Sequence, residues 1–340
     1  MKSRNRYKIA SLLVVMVVGL AIAVSLAAIG SAGGSNHNAS NWTDFAVHNM
    51  GAPLNTVDDE GEMTYAADGT MVYCSARKDL ALTPNGTHKE LYIATFNKEK
   101  GTWNTPVNMG IPINHLPGPE PLNKGDDREP YINAAGDTIW FKSDRSATSS
   151  PVNANDIYVT HKVGGVWQTP ELIGAPISTD QGNEHCPQVT RDEKTMYVTS
   201  QRPGGYGGYD IWVSTKDNAG NWQTPVNAGP NINSASTEYH NLLNRSENKL
   251  IVSSNRPGGY GLMDMYVHKK SDDQPGGWGP AVNLGPAINT AASDACPAFT
   301  RDYATFSWFS GRTDNSLGKV DMFWTKSTNL PRPGDDNSDG

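Results

Sequence analysis

The stretch PQVTRDEKTMYVTSQRPGGYGGYDIWVSTKDNAGNWQTPVNAG, residues 187–229, contains four short runs rich in Val, Thr, Tyr and Trp. The turn Asp192-Glu193-Lys194, a glycine loop and the turn Asp217-Asn218-Ala219-Gly220 separate the runs. Segments of this composition, punctuated by Gly, Pro, Asn and Asp, read as β-strands. The pattern recurs with a period of about 56 residues, five times between Trp42 and Lys326. No segment after residue 35 sustains a period of 3.6, so helices are not expected there. A fixed period with four strands per unit predicts an all-β protein, a single β-propeller of five four-stranded blades.

Two anchors set the register. One is the tryptophan string: TWNTPVNMG at 102–110, VWQTPELIG at 166–174, NWQTPVNAG at 221–229 and GWGPAVNLG at 277–285. The other is a strand that ends in Ser-x-Arg and is followed by an acid-aliphatic-aromatic triplet. Its arginines are Arg77, Arg145, Arg202, Arg256 and Arg312, and its acids Glu90, Asp156, Asp210, Asp264 and Asp321. The last four arginines are 57, 54 and 56 residues apart, whereas the first interval is 68 and holds an insertion. The units run over about 58–114, 127–178, 184–233, 238–289 and 294–326. The last unit lacks a fourth strand, and residues 42–55 read as a lone fourth strand. Their pairing would close the ring and hide two edges that otherwise invite aggregation.

The strings REPYINAAGDTIWFKSDR at 128–145 and SQRPGGYGGYDIW at 200–212 resemble the PD40 repeats of TolB-like, WD40-like propellers. The resemblance spans residues 42–326 and implies the propeller fold. Proteins of that group serve as periplasmic scaffolds, as domains of envelope proteins and in some cases as enzymes. TolB-like propellers usually carry six blades and a preceding domain. Five units and no such domain are read here, so TolB's own role is not carried over.

Residues 1–32 begin with Lys2, Arg4, Arg6 and Lys8, followed by an apolar run from Ile9 to Ile29 and small residues to Gly33. This reads as an export signal cleaved near Ala32, or as an uncleaved N-terminal anchor, because the run approaches the ~20 residues that span a bilayer. Either reading puts the propeller in the periplasm or outside the cell. The formal charge of −7 becomes −11 without residues 1–32. That excludes nucleic acid and anionic membrane surfaces as expected partners and leaves the membrane only through the anchor. The tail 331–340, PRPGDDNSDG, reads as disordered.

Counting back sixteen residues from the five arginines gives Gly61, Glu129, Cys186, His240 and Cys296. The position before holds Glu60, Arg128, His185, Tyr239 and Ala295, and the one before that Asp59, Asp127, Glu184, Glu238 and Asp294. The first strand of a propeller blade lines the central channel, so each row should meet around one axis. Thiolate, imidazole and carboxylate are ligands of zinc and, with softer character, of copper. Cys186, His240, Cys296 and Glu129 are therefore candidate metal ligands, and Glu129 and His185 candidate catalytic groups. Glu60, Arg128 and Tyr239 are candidate ligand contacts. Two further readings stand beside the metal: buried cysteines packing as small hydrophobes, and a Cys186–Cys296 disulfide.

The acidic row recurs in every unit, which points to a shared structural task such as accepting loop N–H bonds. A carboxylate ring for calcium ranks below zinc or copper. The arginines and the triplet acids are expected to clasp one another, and the tryptophans to pack between blades. The enlarged loop 115–127 is expected to overhang the channel mouth, and the loops 78–89 and 146–155 are also long. No nucleophile elbow or P-loop is present in the sequence. The leading expectation is a binding or scaffold propeller holding a protein, carbohydrate or small-molecule partner at the channel mouth. The alternative is a metal-dependent hydrolase or lyase acting on carbohydrate or a small organic substrate.

Overall fold

The computed structural model describes residues 46–82, 88–116, 125–145 and 155–330. The leader, residues 1–32, and the tail, 331–340, lie outside these residues. So do most of the loops at 115–127 and 146–155 and the middle of the loop at 78–89. Among the described residues no helix is long and apolar enough to cross a membrane.

Five antiparallel sheets stand in a ring. Blade 1 is built from Glu60–Tyr65, Met71–Ser75, Glu90–Ala94 and Val107–Asn108. Blade 2 is built from Asp127–Ile132, Thr138–Ser143, Asp156–Val163 and Glu171–Leu172, with Val166–Trp167 folded back on its third strand. Blade 3 comprises His185–Val189, Thr195–Ser200, Asp210–Thr215 and Val226–Asn227. Blade 4 comprises Glu238–Leu243, Lys249–Ser254, Asp264–Lys269 and Val282–Asn283. Blade 5 has three C-terminal strands, Asp294–Phe299, Thr305–Ser310 and Asp321–Lys326. Its fourth strand is N-terminal, with His48 opposite Trp324 and Asn49 opposite Phe323. The first strand of each blade touches that of the next, and the fifth touches the first. The expected five-bladed ring and its closure are both present.

The core is divided into five clusters, each between two blades. Leu91, Phe141 and Ile139 lie between blades 1 and 2, and Phe306, Trp308 and Met265 between blades 4 and 5. Fully burying one such side chain contributes roughly 1.5–3 kcal/mol. Trp103, Trp167, Trp222 and Trp278 belong to or pack against four of these clusters, as expected.

The glycine loops hold blade to blade. A Cβ on Gly207 would stand 1.9 Å from Ser236 O, and one on Gly261 2.1 Å from Thr290 O. Only glycine lets these loops approach the lead-in of the next first strand so closely.

The arginine clasp differs from expectation. Arg145, Arg202, Arg256 and Arg312 pair with Asp127, Glu184, Glu238 and Asp294 of the first strand, at 2.5, 3.0, 3.2 and 3.1 Å. The triplet acids do a different job. Asp210 accepts from Tyr206 N at 2.6 Å and Asp264 from Tyr260 N at 2.5 Å, which holds the loop between second and third strand. The arginines instead stack on the triplet aromatics, such as Tyr158, Trp212 and Tyr266.

Candidate functional site

Every first strand carries a bulge near its start, where pairing to the second strand slips. In four blades the bulged residue has positive φ: Glu62 at 55°, Glu129 at 57°, Cys186 at 49° and Cys296 at 55°. Non-glycine residues rarely adopt this backbone, which costs of order 1–3 kcal/mol. Bulges bend a strand and re-aim a side chain. Here they line the channel with Glu62, Glu129, Cys186, Cys296 and, from blade 4, His240.

Two corrections to the aligned rows follow. The first turn of blade 1 is one residue shorter: Ala66 N bonds Thr70 O, where its counterpart Asn133 N bonds Thr138 O. Counting back from Arg77 therefore lands one residue early. Glu62, not Gly61, is the blade 1 member of the channel ring. Glu60, not Asp59, is the blade 1 member of the acidic row, with Glu60 opposite Ser75 as Asp127 is opposite Ser143. Glu60 is fully buried. It accepts from Thr56 N at 2.8 Å and from Ser75 Oγ at 2.8 Å, so it is no ligand contact. Glu238 and Asp294 likewise accept loop N–H groups, from Ser234 at 2.7 Å and Thr290 at 2.6 Å. The shared structural task expected of this row is present, with Glu60 in place of Asp59.

The ring residues are all buried. Ligand atoms of Glu129, Cys186 and His240 lie within 4.8 Å of one another, as do those of Glu62, His240 and Cys296. His240 is common to both sets. Both of its nitrogens are buried without a hydrogen-bond partner among the described residues. Its ring is held edge-on between Tyr239, at 4.7 Å, and Phe309, at 5.8 Å. Burial pushes its pKa down to about 4, so the imidazole is neutral. All three cysteines are free thiols, and no Cys186–Cys296 disulfide is formed. Burial raises the pKa of Cys186 and Cys296 well above the usual thiol value, with the neighbouring carboxylates adding to it.

The two carboxylates are held differently. Glu129 accepts from Cys186 N at 2.8 Å and Cys186 Sγ at 3.3 Å, and pairs with His185 Nδ1 at 3.1 Å. Burial opposes its charge, but His185, Lys142 and Arg128 outweigh burial and hold its pKa well below the usual range. Glu62 meets Arg128 Nη2 at 2.5 Å, accepts from Cys74 Sγ at 2.8 Å and lies 4.0 Å from Lys89 Nζ. Burial again opposes ionisation there, and Arg128 and Lys89 more than offset it. Cys74 is thus a partner of the ring as well as a core residue.

Above the ring stand Arg128, His185 and Tyr239, from the row one residue earlier. Tyr239 Oη lies 2.6 Å from His185 Nδ1 and 3.4 Å from Glu129 Oε1. Tyr209 packs edge-on against both rings at 5.2 and 5.0 Å. Arg128 and Lys89 keep 28% and 21% of their side chains exposed, so the mouth presents cationic groups to solvent. Below the ring the channel is a cavity of about 80 Å³ that runs on to Tyr131, Glu247, Arg301 and Tyr303.

Glu129, Cys186, His240, Cys296, His185, Tyr239 and Arg128 therefore meet around one axis. Glu62, Lys89, Lys142, Cys74 and Tyr209 join them without having been singled out for this site. The spacing of acid, any residue and ring residue holds in all five blades (Glu60-x-Glu62, Asp127-x-Glu129, Glu184-x-Cys186, Glu238-x-His240, Asp294-x-Cys296) and is the signal that finds Glu62.

No family model matches the chain. No curated protein matches it either. Among solved structures, an α-L-arabinofuranosidase from Lactobacillus brevis is 12% identical with a TM-score of 0.49, over 81% of this chain and 91% of that one. TolB from Acinetobacter baumannii is 15% identical with a TM-score of 0.44, over 79% and 55%. A gluconolactonase from Xanthomonas campestris is 15% identical with a TM-score of 0.42, over 85% and 91%. Likenesses of this size carry no inference about activity.

Proposed function

We propose that this is an exported binding or scaffold propeller of PD40 type that holds a ligand or partner at the channel mouth above the ring. The supporting observation is where the five-fold symmetry breaks. The acidic row repeats its residue type in all five blades and its arginine pair in four, and the tryptophans pack against four of the core clusters. The mouth row holds Gly61, Arg128, His185, Tyr239 and Ala295, five different residues at one position of the repeat. Two cationic groups, Arg128 and Lys89, come from blades 2 and 1, and two aromatic ones, Tyr209 and Tyr239, from blades 3 and 4. That pairing suits a small ligand with a carboxylate and an apolar face, and an acidic sugar has both. The test is calorimetric titration with D-glucuronate against neutral D-glucose. Binding of glucuronate alone, lost in Arg128→Ala and Tyr239→Ala, supports the reading. Failure of both sugars to bind removes acidic sugars from it.

A metal-dependent hydrolase or lyase is the second reading. The linked Glu129, His185 and Tyr239 favour it, because a carboxylate, an imidazole and a phenol in contact can relay a proton. Turnover of a sugar or a small ester by the zinc-supplemented protein, lost in His185→Ala, would replace the binding reading.

A further inference from the structure

The ring below the mouth makes a second, independent case. We propose that it binds one zinc-class ion, with Glu129, Cys186 and His240 as ligands and Cys296, which lies within reach of His240, for the fourth position. Three observations carry this.

His240 is the first. It is 8% exposed, and neither nitrogen has a hydrogen-bond partner among the described residues. A buried imidazole with both nitrogens idle costs free energy unless something takes a lone pair.

The second is spacing. Glu129 Oε2 and Cys186 Sγ lie 3.3 Å apart. Two ligands on one tetrahedral zinc, with bonds of about 2.0 and 2.3 Å, stand roughly 3.5 Å apart. The oxygen and sulfur are already at that separation, and a His240 nitrogen lies within 4.8 Å of both. Cys296 Sγ also lies within 4.8 Å of a His240 nitrogen.

The third is support around the ligands. Glu129 is fixed by Cys186 N and His185, and His185 in turn by Tyr239. This is the outer layer that orients ligands at metal sites. Glu62 is less suited to coordinate, because Arg128 and Cys74 already engage it. Thiolate with imidazole selects zinc or cuprous copper over calcium and magnesium. On binding, each coordinating thiol releases its proton to water, and no redox change is involved.

The inference does not rest on the sugar-binding reading, and either can fail alone. The experiment strips the full chain with chelator, reloads it with zinc chloride, and measures retained metal and free thiols after gel filtration. Cobalt(II) then replaces zinc for absorption spectroscopy. The expected result is one zinc per chain, and with cobalt a thiolate-to-metal charge-transfer band with tetrahedral d–d bands. Cys186→Ser should lose most of the charge-transfer band, and His240→Leu should weaken zinc binding by about 100-fold or more. His240→Leu removes two idle nitrogens at similar volume, so it should stay folded by circular dichroism even if Cys186→Ser does not. Folded wild type that retains no zinc, with all three thiols reactive after unfolding, overturns the proposal. So does cobalt binding without a charge-transfer band, or zinc binding undiminished in His240→Leu. Retention of copper(I) but not zinc overturns the zinc assignment.

Discussion

Two positions on the same strand, two residues apart, behave in opposite ways. At the first stand Glu60, Asp127, Glu184, Glu238 and Asp294, all acidic and all fully buried. Four of them hold an arginine, and the fifth, Glu60, holds Thr56 and Ser75. At the second stand Glu62, Glu129, Cys186, His240 and Cys296, also buried but chemically unlike, with no hydrogen-bond partner for His240 among the described residues. A position that repeats its chemistry in every blade is answering a demand of the repeat. A position that keeps its geometry and changes its chemistry is not. The bulge recurs in all five blades, with the same positive φ at this position in four, while the side chains differ.

The sharpest way to break the comparison is to delete one residue of the repeating row. Glu238→Ala would strand Arg256 and leave the N–H of Ser234 without its acceptor. Removing one partner of a buried pair costs about 3–5 kcal/mol. Urea unfolding should show that loss, and a loss under about 1 kcal/mol would remove the row's structural role.

Gly207→Ala tests the contact that seats the same row. Its Cβ would collide with the backbone oxygen of Ser236, just before Glu238. The expected cost is about 2–4 kcal/mol, against less than ~0.5 kcal/mol for Gly174→Ala, which meets nothing within 4 Å.

Asp127 sharpens the comparison within the row, because it also holds His115 at 2.8 Å, while Asp144 takes the other nitrogen at 3.2 Å. Burial opposes a charge on His115, but the two bonds outweigh it and raise its pKa to about 9. A raised histidine pKa stabilises the fold fully below the unfolded value of about 6.5 and less as pH rises through 9. Stability should therefore fall by about 1–2 kcal/mol between pH 6.5 and 9.5 in wild type. His115→Gln should flatten that slope.

The smallest effect is expected at the second position. His240→Leu should leave metal-free stability within about 1 kcal/mol of wild type, or raise it, because no hydrogen bond is lost. A loss of several kcal/mol would place His240 among the structural residues.

Blade number, closure and the meeting of the channel residues were legible in the sequence, because each follows from a period and from which strand is innermost. Arg145 through Arg312 recur at near-constant spacing, and that spacing alone carries the geometry. Glu62 was hidden by one residue missing from the Ala66–Thr70 turn, which shifts any count made from Arg77. The arginine partners were hidden for a different reason. Both the first-strand acids and the triplet acids recur with the arginines, and recurrence does not say which strand a side chain faces. The link of Glu129 to His185 and Tyr239 joins three blades through side-chain direction, which no spacing encodes. Lys142 and Cys74 act on the ring from second strands, and no spacing singled them out.

The most direct test compares unfolding free energies of wild type and a Cys186→Val/His240→Leu/Cys296→Val variant, each metal-free and with zinc. If the ring is a binding position laid over a self-sufficient scaffold, the metal-free proteins agree within about 1 kcal/mol. Zinc at a hundred times its dissociation constant then stabilises only wild type, by about 2.7 kcal/mol. A variant that is several kcal/mol weaker without metal, beside a wild type indifferent to zinc, would contradict the account and make the ring part of the core.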